Sequence, residues 1–338
     1  MKIKDINLEY GADSSKIASE YAKTTYNNSK KVELMTIENG FSNGFRLNSN
    51  KIGISSDGIG TKVELAERMN RYDTLGFDLV AMVVDDLISN GYNPLLISNI
   101  LDVNYLDKKI IDKLFMGLSN ACKFADIIIS GGEIAELGSR ISGFNSKDNI
   151  MHINWAATGI GTLFEDLENP ISGKEIKSGD SIYGILSDGF RSNGFTLARS
   201  ILEINYGKDW HNITFMGKKW GDILLTPSLI YTPFIRTLFT KDNTTIDSIK
   251  AIIHITGGGI YNNLKRVTPK NLRVKIYKNS FNPHKTMLEL QKLASISDKK
   301  AYDTWNMGIG MIIISNQEIE STVIKGREYQ VKKIGVFL

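Results

Sequence analysis

The sequence predicts an α+β protein in two halves. Strand-like and helix-like segments alternate over residues 51–163, and strand–glycine–helix units resume at residue 181. The length agrees, because 338 residues are long for one core. Between the halves, FEDLENPISGKEIKSGD (164–180) is polar, carries Pro170, Gly173 and Gly179, and reads as a linker. The predicted organisation is a flexible glycine-containing segment over 1–50, an N-terminal domain over 51–165 and a C-terminal α/β-type domain over 166–338.

Each element has its own signal. SSKIASEYAKTTY (14–26) is helix-like, whereas ENGFSNGF (38–45) is too rich in Gly and Asn to be a helix. A mobile segment of this kind suits either a lid or a frayed terminus. KIGISSD (51–57) reads as a strand, 73–91 as a helix, PLLISNILDV (94–103) as a strand and 106–125 as an amphipathic helix. DIIISGGE (126–133) and MHINWAATGIGTL (151–163) are further strands. In the second half, SIYGILSD (181–188) is a strand, and SNGFTLARSILEIN (192–205) a helix with Ser192 at its N-cap. AIIHITGGGIYNNLKRV (251–267) reads as strand, glycine turn and helix. MGIGMIIIS (307–315) and YQVKKIGVFL (329–338) are late strands.

Composition narrows the function. Hydrophobic residues make up 42% and charged residues 23%, as in ordinary globular proteins. The net charge of +4 comes without a block of Lys or Arg, which argues against a nucleic-acid partner. The single Cys122 excludes an intramolecular disulfide and reads as a core thiol. The N-terminus MKIKDINLEYGADSS lacks the apolar segment of a signal peptide, and no run reaches the ~20 apolar residues of a membrane span. A cytoplasmic location and no membrane association are the expectation.

The chemistry concentrates in DGIGTK (57–62) and GGEIAE (131–136), with Asp85 and Asp86 on the apolar helix between them. Glycines let backbone approach a phosphate, carboxylates hold the magnesium that accompanies it, and Lys62 adds a compact positive charge. Together they read as a nucleotide-triphosphate site without a P-loop. Leu79, Met82 and Val83 share the helical face of Asp86, so an ionised carboxylate there calls for a cation nearby. A solvated helix end is the bland alternative. Glu133 and Glu136, if they open a helix, share a face and equally suit a plain dipole complement. The four histidines lack metal-ligand spacing. His254 stands out, two residues before Thr256 and the Gly257–Gly259 turn, though a buried structural histidine is the usual case.

In order along the chain come DGIGTK, TLGFDLVAMVVDDL (74–87), GGEIAE, SDGFRSNGFTLAR (187–199), LLTPSLIY (224–231) and HITGGG (254–259). This series resembles the aminoimidazole ribonucleotide synthetase (phosphoribosylformylglycinamidine cyclo-ligase) family of purine biosynthesis, from about residue 10 to 315. The resemblance implies an ATP-dependent, magnesium-using ring closure of formylglycinamidine ribonucleotide. It also implies a homodimer whose N-terminal split β-α-β sheets join into one barrel. By the same resemblance Asp57 and Asp86 serve ATP and magnesium, and Gly58, Lys62, Gly131, Gly132 and Glu133 line the same cleft. Lys23 falls near a family lysine of the ATP site. Ser192, Asn193, His254, Thr256, Gly257 and Gly258 face the ribonucleotide or the reacting amide. Asp57, Lys62 and His254 are the implied catalytic residues, His254 as the proton carrier.

Three departures stand out. Arg191 replaces the family's usual histidine before Ser-Asn-Gly and is expected to bind substrate, anchoring a phosphate or the activated amide oxygen rather than moving a proton. Asn99 stands where many members carry an aspartate, and LGSRISG (137–143) lacks the usual proline-containing continuation. Two alternatives remain open: another ATP-using enzyme of the superfamily, such as a thiamine-monophosphate kinase, selenophosphate synthetase or hydrogenase-maturation dehydratase, and a non-catalytic nucleotide-binding dimer.

Overall fold

Residues 92–103 and 153–163 alternate buried and exposed side chains with a period of two, and they form the longest strand pair of the N-terminal half. A computed structural model describes residues 8–37, 40–144, 150–240, 243–277 and 279–338. Its N-terminal half contains α1 (Leu8–Thr24), β1 (Val32–Met35), β2 (Asn43–Leu47), β3 (Asn50–Gly58), α2 (Lys62–Met69), α3 (Leu75–Ser89), β4 (Tyr92–Val103), α4 (Lys108–Ala125), β5 (Ile128–Glu136) and β6 (Ile153–Leu163). The strands form one sheet in the order β1-β2-β3-β6-β4-β5. Only β4 and β5 are parallel, because the crossover through α4 returns the chain in the same direction. Asp107 caps α4 by accepting from the amides of Lys109 and Ile110.

Helix α3 packs on the inner face of this sheet, with Leu79, Val80, Val83 and Val84 buried in the core. The outer face is different. Ile54, Ile160, Leu96 and Ile128 lie in one transverse row, and Ile128 and Ile100 are 63% and 54% exposed. β5 is exposed along almost its whole length and forms a sheet edge.

The C-terminal half begins with β7 (Ser181–Leu186) and α5 (Phe195–Tyr206). Its sheet runs Ile249–His254, Ile309–Ser315, β7, Val331–Phe337, Val274–Ile276, and every neighbouring pair is antiparallel. With helices beside it, this antiparallel sheet completes an α+β protein of two domains. The run of 309–315 is buried throughout because its two faces pack into separate apolar clusters, with Ile312 and Ile314 in one and Met311 and Ile313 in the other.

Three expectations change. The N-terminal sheet begins at Val32 rather than Lys51, so residues 32–35 and 43–47 of the segment assigned to a flexible leader are paired strand; Glu38 and Asn39 lie outside the described residues. GGEIAE is strand, not a loop leading into a helix, so Glu133 and Glu136, three residues apart, point to opposite faces. Helix α5 starts at Phe195 after a left-handed Gly194, and the buried Ser192 hydroxyl caps nothing. Among the described residues no helix is long and apolar enough to cross a membrane.

Candidate active site

The two glycine motifs lie on one transverse row of the sheet. Asp57 pairs with Ala157, Ala157 with Asn99, and Asn99 with Gly132. Three strand spacings separate Asp57 from Gly132, about 14 Å. A side chain at Gly132 would collide with the backbone oxygen of Asn99 at 2.5 Å, so close strand packing requires this glycine. Asn99 explains itself here: its Oδ1 accepts from the Trp155 indole at 3.0 Å, and its Nδ2 donates to the Gly131 carbonyl at 3.3 Å. An aspartate would lose the second bond.

Residues Ser55 and Asp57 share the inner face of β3, opposite α3. Asp57 accepts from the Gly58 amide at 2.7 Å, and the Ser55 hydroxyl bonds to Asp86. Burial pushes the Asp86 carboxyl up to about 7, against the pull of Arg266 and Arg191, while its side chain keeps 14% of its surface exposed. Burial also raises Asp57, and the nearby Asp86 charge adds to it. Two desolvated carboxylates thus lie close enough to raise one another's cost of ionisation, a setting that favours a cation beside them.

Behind Asp86 runs a chain of charged hydrogen bonds. His254 Nδ1 lies 2.7 Å from Asp86 Oδ1, and His254 Nε2 lies 2.8 Å from Arg191 Nη2. Arg191 Nη2 is also 2.9 Å from Asp85 Oδ2, and Nη1 donates to the Leu229 carbonyl at 2.7 Å. The guanidinium lies over the Tyr231 ring, 4.6 Å from its centroid. Asp85 Oδ1 in turn accepts from the Tyr231 amide, the Thr232 amide and the Thr232 hydroxyl. Burial, reinforced by Arg191, lowers the His254 imidazole to about 3, so it is neutral at physiological pH.

This burial corrects two expectations. Arg191 is 2% exposed and His254 fully buried. Both side chains are thus closed off from solvent, and both His254 nitrogens are already bonded. The expected substrate anchor and the expected proton carrier stand instead behind the carboxylate pair.

Lys62 is corrected as well. It is fully buried, and its ammonium donates to Asp78 Oδ1 at 2.8 Å, to the Arg191 carbonyl at 3.1 Å and to the Thr226 carbonyl at 2.7 Å. An ammonium has three donors, so none remains for a phosphate. Asp78 Oδ1 also takes the Ser228 amide and hydroxyl.

Around the carboxylates, Asn193 borders the glycine turn. Its Oδ1 would lie 3.6 Å from a side chain at Gly257, and its Nδ2 reaches Met82, one turn before Asp86. Asn263 clamps the turn by donating to the Gly259 carbonyl at 2.7 Å and the Gly257 carbonyl at 3.2 Å. Gly259 must be glycine, since its φ is +64° and a side chain would meet the Tyr302 carbonyl at 2.0 Å. Thr256 and Gly258 are half-buried and Gly257 is exposed.

The remaining residues do not join this cluster within one protomer. Gly131, Gly132 and Glu133 are exposed on edge strand β5, and Glu133 shares the outer face with Ile100, opposite Asp57. Lys23 is exposed on the last turn of α1, and no side chain of the cluster bonds it among the described residues. Sequence reasoning noted Asp85 but gave it no role, and passed over Ser55 and Asn263. The doubled Asp85-Asp86 was a usable signal for Asp85, since one of two adjacent helical carboxylates must face the packed side.

With this geometry in place, the comparisons converge. Family models described as AIR synthase related protein, N-terminal domain, and AIR synthase related protein, C-terminal domain, match residues 44–161 and 177–337. A phosphoribosylformylglycinamidine cyclo-ligase of Clostridium kluyveri is 32% identical over 330 residues, covering 96% of this chain and 91% of the relative. Among solved structures, AaThiL complexed with AMPPCP and TMP matches with a TM-score of 0.59 at 14% identity, over 95% of this chain and 89% of that one. Hydrogenase maturation protein HypE in complex with ATP matches with a TM-score of 0.55 at 14% identity, over 85% and 76%. At such identities the two structures establish a common fold. The relative, matched nearly end to end, and the paired domain models establish the lineage: the chain belongs to the phosphoribosylformylglycinamidine cyclo-ligase family.

Proposed function

We propose that the protein converts formylglycinamidine ribonucleotide to aminoimidazole ribonucleotide with consumption of ATP. The observation that carries this reading is the Asp57–Asp86 carboxylate pair, set in a family match that spans nearly the whole chain. In the reaction the formyl-derived amide oxygen takes the γ-phosphoryl group of ATP, and ADP leaves. The amidine nitrogen attacks that carbon, the C–O bond breaks with loss of phosphate, and a proton leaves the new ring.

Asp57 and Asp86 suit a magnesium ion that accompanies ATP. Among the described residues no group of three or more His, Cys, Asp or Glu builds a protein-only cage. Magnesium bound with a nucleotide needs just one or two carboxylates besides phosphate oxygens and water. The ion supplies charge neutralisation at the transferred phosphoryl. Asn193, Thr256, Gly257 and Gly258 border the same edge, where they suit the ribonucleotide. Asn193 is the side chain we assign to orient its amide, from its position beside the glycine turn.

The assay is ADP release in the presence of magnesium, with and without formylglycinamidine ribonucleotide. One ADP per aminoimidazole ribonucleotide is expected. ATP turnover indifferent to the ribonucleotide would favour another ATP-using enzyme of this fold, a reading that the replacement of the family histidine by Arg191 keeps in view.

A homodimer belongs to the proposal. The apolar outer face and bare β5 edge call for a cover, and a second copy would also bring its exposed Glu133 and glycines to the interface. Light scattering should give twice the 37.7-kDa chain mass. Ile100→Asp, in the middle of that face, should yield folded monomer; if it stays dimeric, the interface lies elsewhere.

A further inference from the structure

The chain from Asp85 to Asp86 fixes a proton position. Arg191 Nη2 lies 2.8 Å from His254 Nε2, and a guanidinium has donors only. Nε2 must therefore accept. In a neutral imidazole the proton then sits on Nδ1, which faces Asp86 Oδ1 at 2.7 Å and donates to it. Arg191 cannot turn away, because Asp85, the Leu229 carbonyl and the Tyr231 ring hold it. Asp85 is itself held by three donors from residues 231–232.

We propose that Arg191 is a positioning residue: it locks His254 as the Nδ1–H tautomer, and through it holds Asp86 Oδ1 as a hydrogen-bond acceptor alongside the Ser55 contact. A histidine at position 191 would not impose this, since an imidazole can donate or accept at either nitrogen. The LLTPSLIY segment gains a role in the same step, because its end supplies the carbonyl and the ring that hold Arg191. The inference rests on the assignment of Asp86 to magnesium and ATP, and its first test needs neither ligand.

The test begins with nitrogen-15 histidine spectra of the ligand-free protein, His254 being assigned by its loss in His254→Asn. A protonated Nδ1 and a bare Nε2 are expected. A protonated Nε2 overturns the proposal whatever the variants do. Next, Arg191→Met should release the tautomer and weaken magnesium-dependent ATP binding by about 10–100-fold, the usual effect of losing a partner behind a metal ligand. Arg191→Lys, which keeps a charged donor, should recover the Nδ1–H signal and most of the affinity. An unchanged tautomer or affinity in folded Arg191→Met overturns it. If that variant does not fold, His254→Asn and His254→Leu decide. The asparagine amide sits near the Nδ1 position and should keep binding far better than leucine, whereas equal loss in both counts against the proposal. If the unaltered protein shows no magnesium-dependent ATP binding, the nucleotide assignment fails, and the spectrum alone judges the tautomer.

Discussion

Lys62→Met is expected to destabilise the protein by about 3–5 kcal/mol, because it strands the Asp78 carboxylate in a dry junction. Both side chains of this pair are fully buried. The lysine also ties the carbonyls of Arg191 and Thr226 to the N-terminal half, so its loss loosens the contact between halves. Denaturant midpoints measure the effect. Adding Asp78→Asn should recover much of the loss, since the amide oxygen still accepts from Ser228 and no buried charge is left. ATP affinity of the folded single variant should change little. A variant of normal stability that has lost ATP binding would instead return Lys62 to the phosphate, where its motif first put it.

Asp86→Asn is expected to act in two opposite directions. Metal-dependent ATP binding should fall by about 1–3 kcal/mol as a charge-assisted contact disappears. The ligand-free protein should become more stable. Displacing a carboxyl from an ordinary 3.8 to about 7 is equivalent to roughly 4 kcal/mol, which the partly exposed edge of Asp86 reduces to about 1–3. The sign of the pH dependence follows. Between about pH 4 and 7 the folded protein binds more protons at Asp86 than the unfolded chain does, so this contribution to stability falls as pH rises through that window. Asp86→Asn should flatten that slope. Thermal melts at pH 5 and pH 8, with and without magnesium and ATP, test both halves. Equal stability of the two proteins at pH 8 would mean that Asp86 is well solvated and carries no stored cost.

The local elements were legible in the sequence because they depend on short-range patterning. The helix over 75–89, the strands of 92–103 and 153–163, the turn at 257–259 and the apolar strand of 309–315 fall where periodicity and glycine placed them. Asp86 was legible for the same reason: a carboxylate on an apolar helical face is anomalous whatever surrounds it. GGEIAE was misjudged because adjacent glycines weaken a strand signal. They are tolerated here since β4 lies so close that Gly132 has no room for a side chain.

Taken alone, the sequence determined the family, the two-half plan and the anomalous carboxylate on which the proposed site is built. Only the tertiary structure decided which charged residues meet that site and which are consumed inside the protein. A lysine after a glycine loop and an arginine beside Ser-Asn-Gly each look like anion ligands in one dimension. Lys62 is spent on Asp78 and two carbonyls, and Arg191 on Asp85 and His254, by partners 16 to 164 positions away along the chain. The physical reason is that a donor's role depends on which acceptors reach it, and for a buried charge the cost of desolvation makes those partners obligatory.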